Sequence, residues 1–386
     1  MAPPRDPEIP DPLAMTRDAF VRVGAGAGIG PGRAAEIYRA VHREGRADAP
    51  GAAIPPIVRR LEEGKDEGTT IKFVQRLAAP GGRVGDLETE SVVIPMIGRT
   101  GARTHTLCVS SQVGCAMGCG FCETAQMGLI RSLTAREIVA QWWAATHAEG
   151  VKIDNIVFMG MGEPLDNLDA VLDAIAVLTD HHGPAVPMRA ITISTVGRVD
   201  GLRRLVDVVQ KPGWKRLGLA LSLNAPNDAV RDEIMPLNRK WGLDELQRVM
   251  IELMRVRGSR KILFEYVLIP GVNDAPEHAH QVAQWLAPFM RTESHGHIGL
   301  LNVIPYNPRR NSPWDAPDER DVQAFVDRLA GLGVFVKRRR TKGRTAMAAC
   351  GQLGNERIRN RNLVDLTSTA RTSTARTSKP RIGADG

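Results

Sequence analysis

The feature that most restricts the fold is an alternation. Six short apolar, β-branched runs are THTLCVS (104–110), NIVFMG (155–160), RAITIST (189–195), RLGLALS (216–222), ILFEYVLI (262–269) and IGLLNVIP (298–305). Amphipathic helical stretches separate them, one opening at Thr134, where Thr134 and Glu137 stand in a capping-box pattern. Strands that alternate with helices pair in parallel, because a parallel neighbour needs a long crossover. The expected fold is α/β, a partial barrel of six (β/α) units. In such barrels chemistry collects at the C-terminal ends of the strands.

The flanks read differently. Residues 1–30 are rich in proline and glycine and read as a flexible N-terminus. Within them GAGAGIG (24–30) is no dinucleotide loop, because its third glycine position falls on Ile29. Over 31–66 the sequence turns helical: Ala34, Ile37, Tyr38 and Val41 share one face, and IPPIVRRLEEG reads as a second short helix opened by prolines. This suggests a small basic accessory domain, either an RNA contact or a solvated packing module. Over 67–100, TTIKFVQRL and SVVIP flank a turn at Gly81 and Gly82, a β-hairpin extension. The barrel core then runs over 101–362. Residues 363–386 repeat Thr, Ser, Ala and Arg and read as a disordered basic tail.

Composition narrows the setting. With 386 residues, 43% hydrophobic, the chain can build one large domain and a smaller one. It has no run of about 18 apolar residues, so no membrane span is expected. MAPPRDPEIPDP lacks the apolar centre of a secretory signal. An odd count of five cysteines argues against a disulfide framework and for a reducing, cytoplasmic setting. The net charge of +8 favours a polyanionic partner, most simply nucleic acid.

Four of the five cysteines fall in CVSSQVGCAMGCGFC, Cys108 to Cys122. Cys115, Cys119 and Cys122 follow a C-x3-C-x2-C spacing. Three closely spaced thiolates can grip three corners of a [4Fe–4S] cubane and leave the fourth iron open to chelate a small molecule. A zinc knuckle completed by Cys108 or a histidine is the competing reading. After the second apolar run comes GMGEPL (160–165), whose glycines permit close backbone approach and whose Glu163 can accept from an ammonium. The paired histidines at 181–182, 278/280 and 295/297 read as loop and helix-surface residues rather than a second metal site.

The C-x3-C-x2-C loop with Phe121 before its last cysteine resembles the radical SAM superfamily. CVSSQVGC, GMGEPL, SLNAPNDAVRDEIMP, IPYNP and AACGQL, in this order over roughly residues 30–360, resemble the RlmN/Cfr family of radical SAM RNA methyltransferases. The resemblance implies a [4Fe–4S] cluster on Cys115, Cys119 and Cys122. It implies S-adenosylmethionine (SAM) held by Gly162, Glu163, Ser194, Ser222, Leu223, Asn224 and Asn307. Cys350 is implied to carry a methyl group that is passed to an adenine ring carbon. Cys108 is implied to release the resulting protein–RNA adduct, leaving a Cys108–Cys350 disulfide. Glu90 matches the proton acceptor, with Glu88 a competitor on the same strand face. The substrate implied is adenosine of 23S rRNA, and also tRNA, with an electron donor such as flavodoxin or ferredoxin and a monomeric protein.

Ring carbon 2 is expected and carbon 8 is the alternative within the family. A radical SAM enzyme on a non-RNA substrate and a zinc-bound RNA-binding module are the alternatives outside it. Asn224 stands where the family commonly has histidine, and RTAMAAC lacks the acidic residue usual just upstream. Lys337, Arg338, Arg339, Arg340, Lys342 and Arg344, then Arg357, Arg359 and Arg361, flank Cys350 and suggest phosphate steering.

Overall fold

The computed structural model describes residues 9–65, 67–78, 87–98, 101–258, 260–292, 296–339, 343 and 347–354. Two helices open it, α1 (Arg17–Gly26) and α2 (Pro31–His42), followed by three strands, β1 (Ile57–Lys65), β2 (Gly68–Arg76) and β3 (Glu88–Ile97). Then come β4 (Arg103–Cys108), a short hairpin of β5 (Gln112–Gly114) and β6 (Leu129–Ser132), and α3 (Ala135–Trp143). Alternating units follow: β7 (Asn155–Phe158), α4 (Leu168–Thr179), β8 (Ile191–Thr195), α5 (Val199–Gln210), β9 (Gly218–Ser222), α6 (Asp228–Ile234), α7 (Leu243–Val256), β10 (Ile262–Leu268) and α8 (Pro276–Leu286). After a minor pair, β11 (Arg291–Thr292) and β12 (Gly296–His297), the chain ends on β13 (Gly299–Pro305), α9 (Glu319–Gly331) and β14 (Val336–Arg338).

One ten-stranded sheet runs in the order β1-β2-β3-β4-β7-β8-β9-β10-β13-β14. From β4 onward every neighbour is parallel. The six expected strands are all there, joined by β14 as a seventh, and the sheet keeps two edges, which makes the barrel partial. From β1 to β4 the pairing is antiparallel. The β2–β3 hairpin thus continues directly into the barrel sheet rather than standing apart from it.

Two expectations fail at the N-terminal end. Residues 17–26 are helical, not a flexible leader. The helix stops at Gly28, whose φ of 75° is the left-handed conformation that closes a helix, and the Ile29 N–H bonds back to the Gly24 carbonyl. IVRRLEEGK is a strand, not a second helix. It pairs with β2 from Ile57 opposite Gln75 to Lys65 opposite Gly68, and that cross-strand pairing overrides the helix propensity of its Leu, Glu and Arg residues. The Gly81–Gly82 turn, His295 and the C-terminal tail lie outside the described residues.

The helix pair docks onto α3 through aromatic contacts. The His42 and Trp142 rings lie 6.4 Å apart, and Trp143 Nε1 donates to the Val41 carbonyl at 2.9 Å. His42 is buried, with Nε2 3.0 Å from the Pro12 carbonyl. Burial lowers its pKa to about 4.

Candidate active site

The ends of the barrel strands surround one cavity of about 150 Å³. Cys115, Cys119 and Cys122 line it from the loop after β5, Gly162 and Glu163 from the segment after β7, Ser194 from β8, Ser222 from β9 and Asn224 just beyond it, and Cys350 from the C-terminal loop. Leu223 and Asn307 are buried close by but are not among the lining residues. Leu223 points into the barrel core while its N–H bonds to the Glu265 carbonyl at 3.0 Å. Asn224 sits at φ 56° and accepts the Val267 N–H on Oδ1 at 2.9 Å, so its amide ties the end of β9 to β10.

The cysteine loop is held by residues the motif names but chemistry does not need. Ser110 Oγ donates to the Glu90 carbonyl at 2.7 Å and accepts from the Met161 N–H at 2.9 Å. Ser111 and Gln112 N–H groups both reach the Met161 carbonyl, and Gln112 Oε1 accepts the Glu163 N–H at 2.9 Å. A Cβ on Gly160 would meet the Val109 carbonyl carbon at 2.7 Å, and one on Gly162 would meet the Gln112 Cβ at 2.5 Å. These glycines therefore let the second strand's loop lie against the cysteine loop. The Glu163 carboxylate is likewise engaged: Oε1 accepts from Leu165 and Oε2 from Val196, at 3.0 and 2.9 Å. The Thr195 side chain bonds it as well, and since a carboxylate has about four lone-pair directions, acceptor capacity is left for one more donor.

The Radical SAM superfamily model matches residues 109–283. At 40% identity over 302 residues, 78% of this chain and 77% of the relative, the sequence is similar to a probable dual-specificity RNA methyltransferase RlmN 1 of Protochlamydia amoebophila. A dual-specificity RNA methyltransferase RlmN of Anaeromyxobacter dehalogenans is 38% identical over 367 residues, 90% of this chain and 93% of that one. The crystal structure of a radical SAM methyltransferase from Sphaerobacter thermophilus superposes with a TM-score of 0.76 at 33% identity, over 89% of this chain and 98% of that one. The chain belongs to the RlmN family of radical SAM RNA methyltransferases. Membership implies an iron–sulfur cluster and SAM.

The donor set fits such a cluster. Burial pushes the thiols of Cys115, Cys119 and Cys122 up, and their neighbouring cysteines raise Cys115 and Cys119 further. Three crowded thiols that resist ionisation suit a centre that takes up their charge as it displaces their protons. Among the described residues no three His, Cys, Asp or Glu side chains are gathered to hold a single ion. All five cysteines are free.

The two remaining cysteines stand close together. Cys350 is exposed; Cys108, at the end of β4, is buried. Burial pushes the Cys108 thiol up to about 12, and Cys350 adds to the shift. Arg339 lines the same cavity with Nη1 3.6 Å from Glu265 Oε2, and Cys350, Glu265 and Cys108 all raise its pKa, Cys350 most. So Arg339 faces into the site. Arg338 pairs with Glu319. Arg340, Lys342, Arg344, Arg357, Arg359 and Arg361 lie outside the described residues.

Glu90 lies against the Cys350 loop from the other side. Its Oε2 is 2.8 Å from Lys72 Nζ and accepts the Gly354 N–H at 3.0 Å. Burial raises its pKa, against the pull of Lys72. Glu88 faces Arg59 and Arg76 instead, at 3.3 and 3.9 Å. The loop also bonds to the cluster loop: Glu123 N–H to the Gly351 carbonyl at 2.7 Å and Thr124 Oγ1 to the Leu353 carbonyl at 2.5 Å.

Sequence reading missed Lys72, Glu265 and Arg231. Glu265 had a signal, a lone acid inside ILFEYVLI. It is buried and takes a hydrogen bond from Asn302 at 2.9 Å. Arg231 in α6 is fully buried and gave none, because a charged residue in a short helix reads as solvated.

Proposed function

We propose that this protein methylates carbon 2 of adenosine in 23S ribosomal RNA and in tRNA, through an S-methylated Cys350. One observation carries the reading. An exposed Cys350 shares a cavity with the three-cysteine loop, with a buried Cys108 close enough to feel its charge. A metal-binding module has no use for two further cysteines in that place.

On this reading Cys115, Cys119 and Cys122 hold a [4Fe–4S] cluster. With SAM bound, that cluster supplies an adenosyl radical as hydrogen-abstracting chemistry. The chain's own residues do the rest. Gly162, Glu163, Ser194, Ser222 and Asn224 orient SAM from the cavity wall, with Leu223 and Asn307 supporting the adjoining backbone. Cys350 carries the methyl group to the adenine, which must be unstacked to reach it. Glu90 accepts a proton from the ring carbon. Cys108, as the thiolate, then attacks the Cys350 sulfur; the carbon–sulfur bonding pair passes to the methylene carbon, which takes up a proton to become the methyl group, and a Cys108–Cys350 disulfide forms. The reading also calls for a donor such as flavodoxin or ferredoxin and for a cytoplasmic monomer. No helix among the described residues is long and apolar enough to cross a membrane.

The test is anaerobically reconstituted protein with SAM, a reductant and unmodified ribosomal RNA or tRNA, followed by digestion and mass spectrometry. 2-Methyladenosine is expected. 8-Methyladenosine moves the protein to the carbon-8 branch. SAM cleavage with no methylated RNA overturns the substrate reading and leaves the cluster reading intact.

A further inference from the structure

The loop that carries Cys350 is fastened at both ends by one ion pair. Lys72 lies opposite Val92 and Glu90 opposite Val74, so the two side chains are diagonal neighbours on one face of the β2–β3 hairpin. Both are buried, at 4% and 2% exposure, and both line a cavity beside the loop. Lys72 Nζ donates to the Met347 carbonyl at 3.0 Å, three residues before the cysteine. Glu90 Oε2 takes the Gly354 N–H at 3.0 Å, four residues after it. The same oxygen is 2.8 Å from Lys72 Nζ. Met347 itself sits at φ 48°, a left-handed conformation that costs a side-chain-bearing residue about 1 kcal/mol or more and persists only where its surroundings enforce it. Lys72 holds the carbonyl of that strained residue.

We propose that Lys72 is a positioning residue that makes the conformation of the Cys350 loop depend on the charge of Glu90. This rests on the proposed role of Glu90 as proton acceptor. While Glu90 is ionised, the pair is neutral overall and both loop ends are tied down. The proton leaves the adenine carbon for Glu90, and its bonding pair stays with the adduct. Glu90 is then neutral and Lys72 is left a buried cation without its counter-charge, a state that drives it toward water. Both fastenings weaken together, and the strain at Met347 is free to relax. The loop loosens at the moment when Cys108 must reach the Cys350 sulfur.

The groups facing Glu90 support this dependence. Lys72 comes from β2 and Arg59 from β1, while Glu62, Glu123 and Arg310 line the same cavity of about 360 Å³. Lys72 is the cation in direct contact with the Glu90 carboxylate, and Arg59 is in contact with Glu88.

Amide hydrogen exchange over 347–354, on the full-length cluster-bearing protein without RNA, tests the latch. In Glu90→Gln, which is neutral but the same shape, exchange rises about tenfold or more, the scale of losing one charge-assisted hydrogen bond. Lys72→Met does the same and Lys72→Arg stays near wild type. Exchange in the barrel strands serves as the control for folding. If Lys72→Met does not fold, Glu90→Gln decides alone, and exchange there indistinguishable from wild type overturns the proposal. Because no RNA is present, this result stands apart from the fate of the substrate reading. The second readout is the pH profile of methyl transfer. Without Lys72 the Glu90 carboxylate is less stable, so the acid limb moves to higher pH. An unmoved limb beside faster exchange reduces Lys72 to a structural tie and also overturns the proposal.

Discussion

Replacing Arg231 with methionine tests how the cavity-facing strand ends are held. The guanidinium is fully buried and its described acceptors are neutral. It donates to the Leu223 carbonyl at 3.0 Å, Asn238 Oδ1 at 2.9 Å, the Val196 carbonyl at 2.6 Å and the Ser222 carbonyl at 3.2 Å. Three of these close off β8 and β9, the strands that present Ser194 and Ser222 to the cavity. Methionine leaves four buried acceptors without this donor, at roughly 1.5 kcal/mol each, about 6 kcal/mol in all. Against this, burial lowers the arginine pKa from 12.5 to about 10. That shift corresponds to about 3 kcal/mol of burial cost, which methionine avoids. The net loss is about 3 kcal/mol. Unfolding entropy of about 2 cal/mol/K per residue converts this to a Tm fall of roughly 4 °C for a chain of this length. Calorimetry of the cluster-free protein measures it. Binding of SAM to the reconstituted protein should weaken in R231M and less in R231K, whose single ammonium keeps the charge but fewer bonds. An unchanged Tm together with unchanged SAM affinity would refute the argument that Arg231 organises these strand ends.

Three further outcomes follow from the geometry. Cys350→Ala abolishes RNA methylation but leaves iron content and SAM cleavage; Cys108→Ala instead leaves a protein–RNA adduct that a denaturing gel retains. Alanine at any of Cys115, Cys119 or Cys122 removes the visible iron–sulfur absorbance while far-ultraviolet circular dichroism is retained. Acid loosens the N-terminal helix pair. His42 titrates near 6.5 unfolded and about 4 folded, so the unfolded chain binds more protons between those values and stability falls as pH drops through that window. The loss by pH 4 is about 3 kcal/mol. Urea midpoints at pH 7 and pH 4.5 should differ accordingly, and by less in His42→Phe.

The parallel strands were legible because each is an apolar run bounded by turn residues, and a strand buried on both faces leaves no other reading of such a run. Ile57–Lys65 was not, because its Leu, Glu and Arg residues suit a helix; only the partner strand decides. The cysteine spacing narrowed the chemistry, since three thiolates at that spacing have few uses. GMGEPL was legible as a place of close approach, but what approaches Gly160 and Gly162 is the backbone and side chain of the cysteine loop. The same holds for Ser110, Ser111 and Gln112, whose bonds run to neighbouring segments. Lys72 and Glu90 could not be paired from sequence. Eighteen positions separate them, and their contact depends on the hairpin register that sets Lys72 opposite Val92.

These failures have a common physical origin. A side chain's chemistry is local, but whether it faces substrate or a neighbouring loop is set by which segments the barrel brings together. Arg339 makes the point. Its place among nine basic residues suggested phosphate; the fold also sets it against Glu265 from β10, with Cys350 and Cys108 near enough to raise its pKa. A cation there favours the thiolate form of either cysteine. Burial pushes the Cys108 thiol up and Arg339 partly offsets that, which is the electrostatic support the proposed attack on Cys350 calls for.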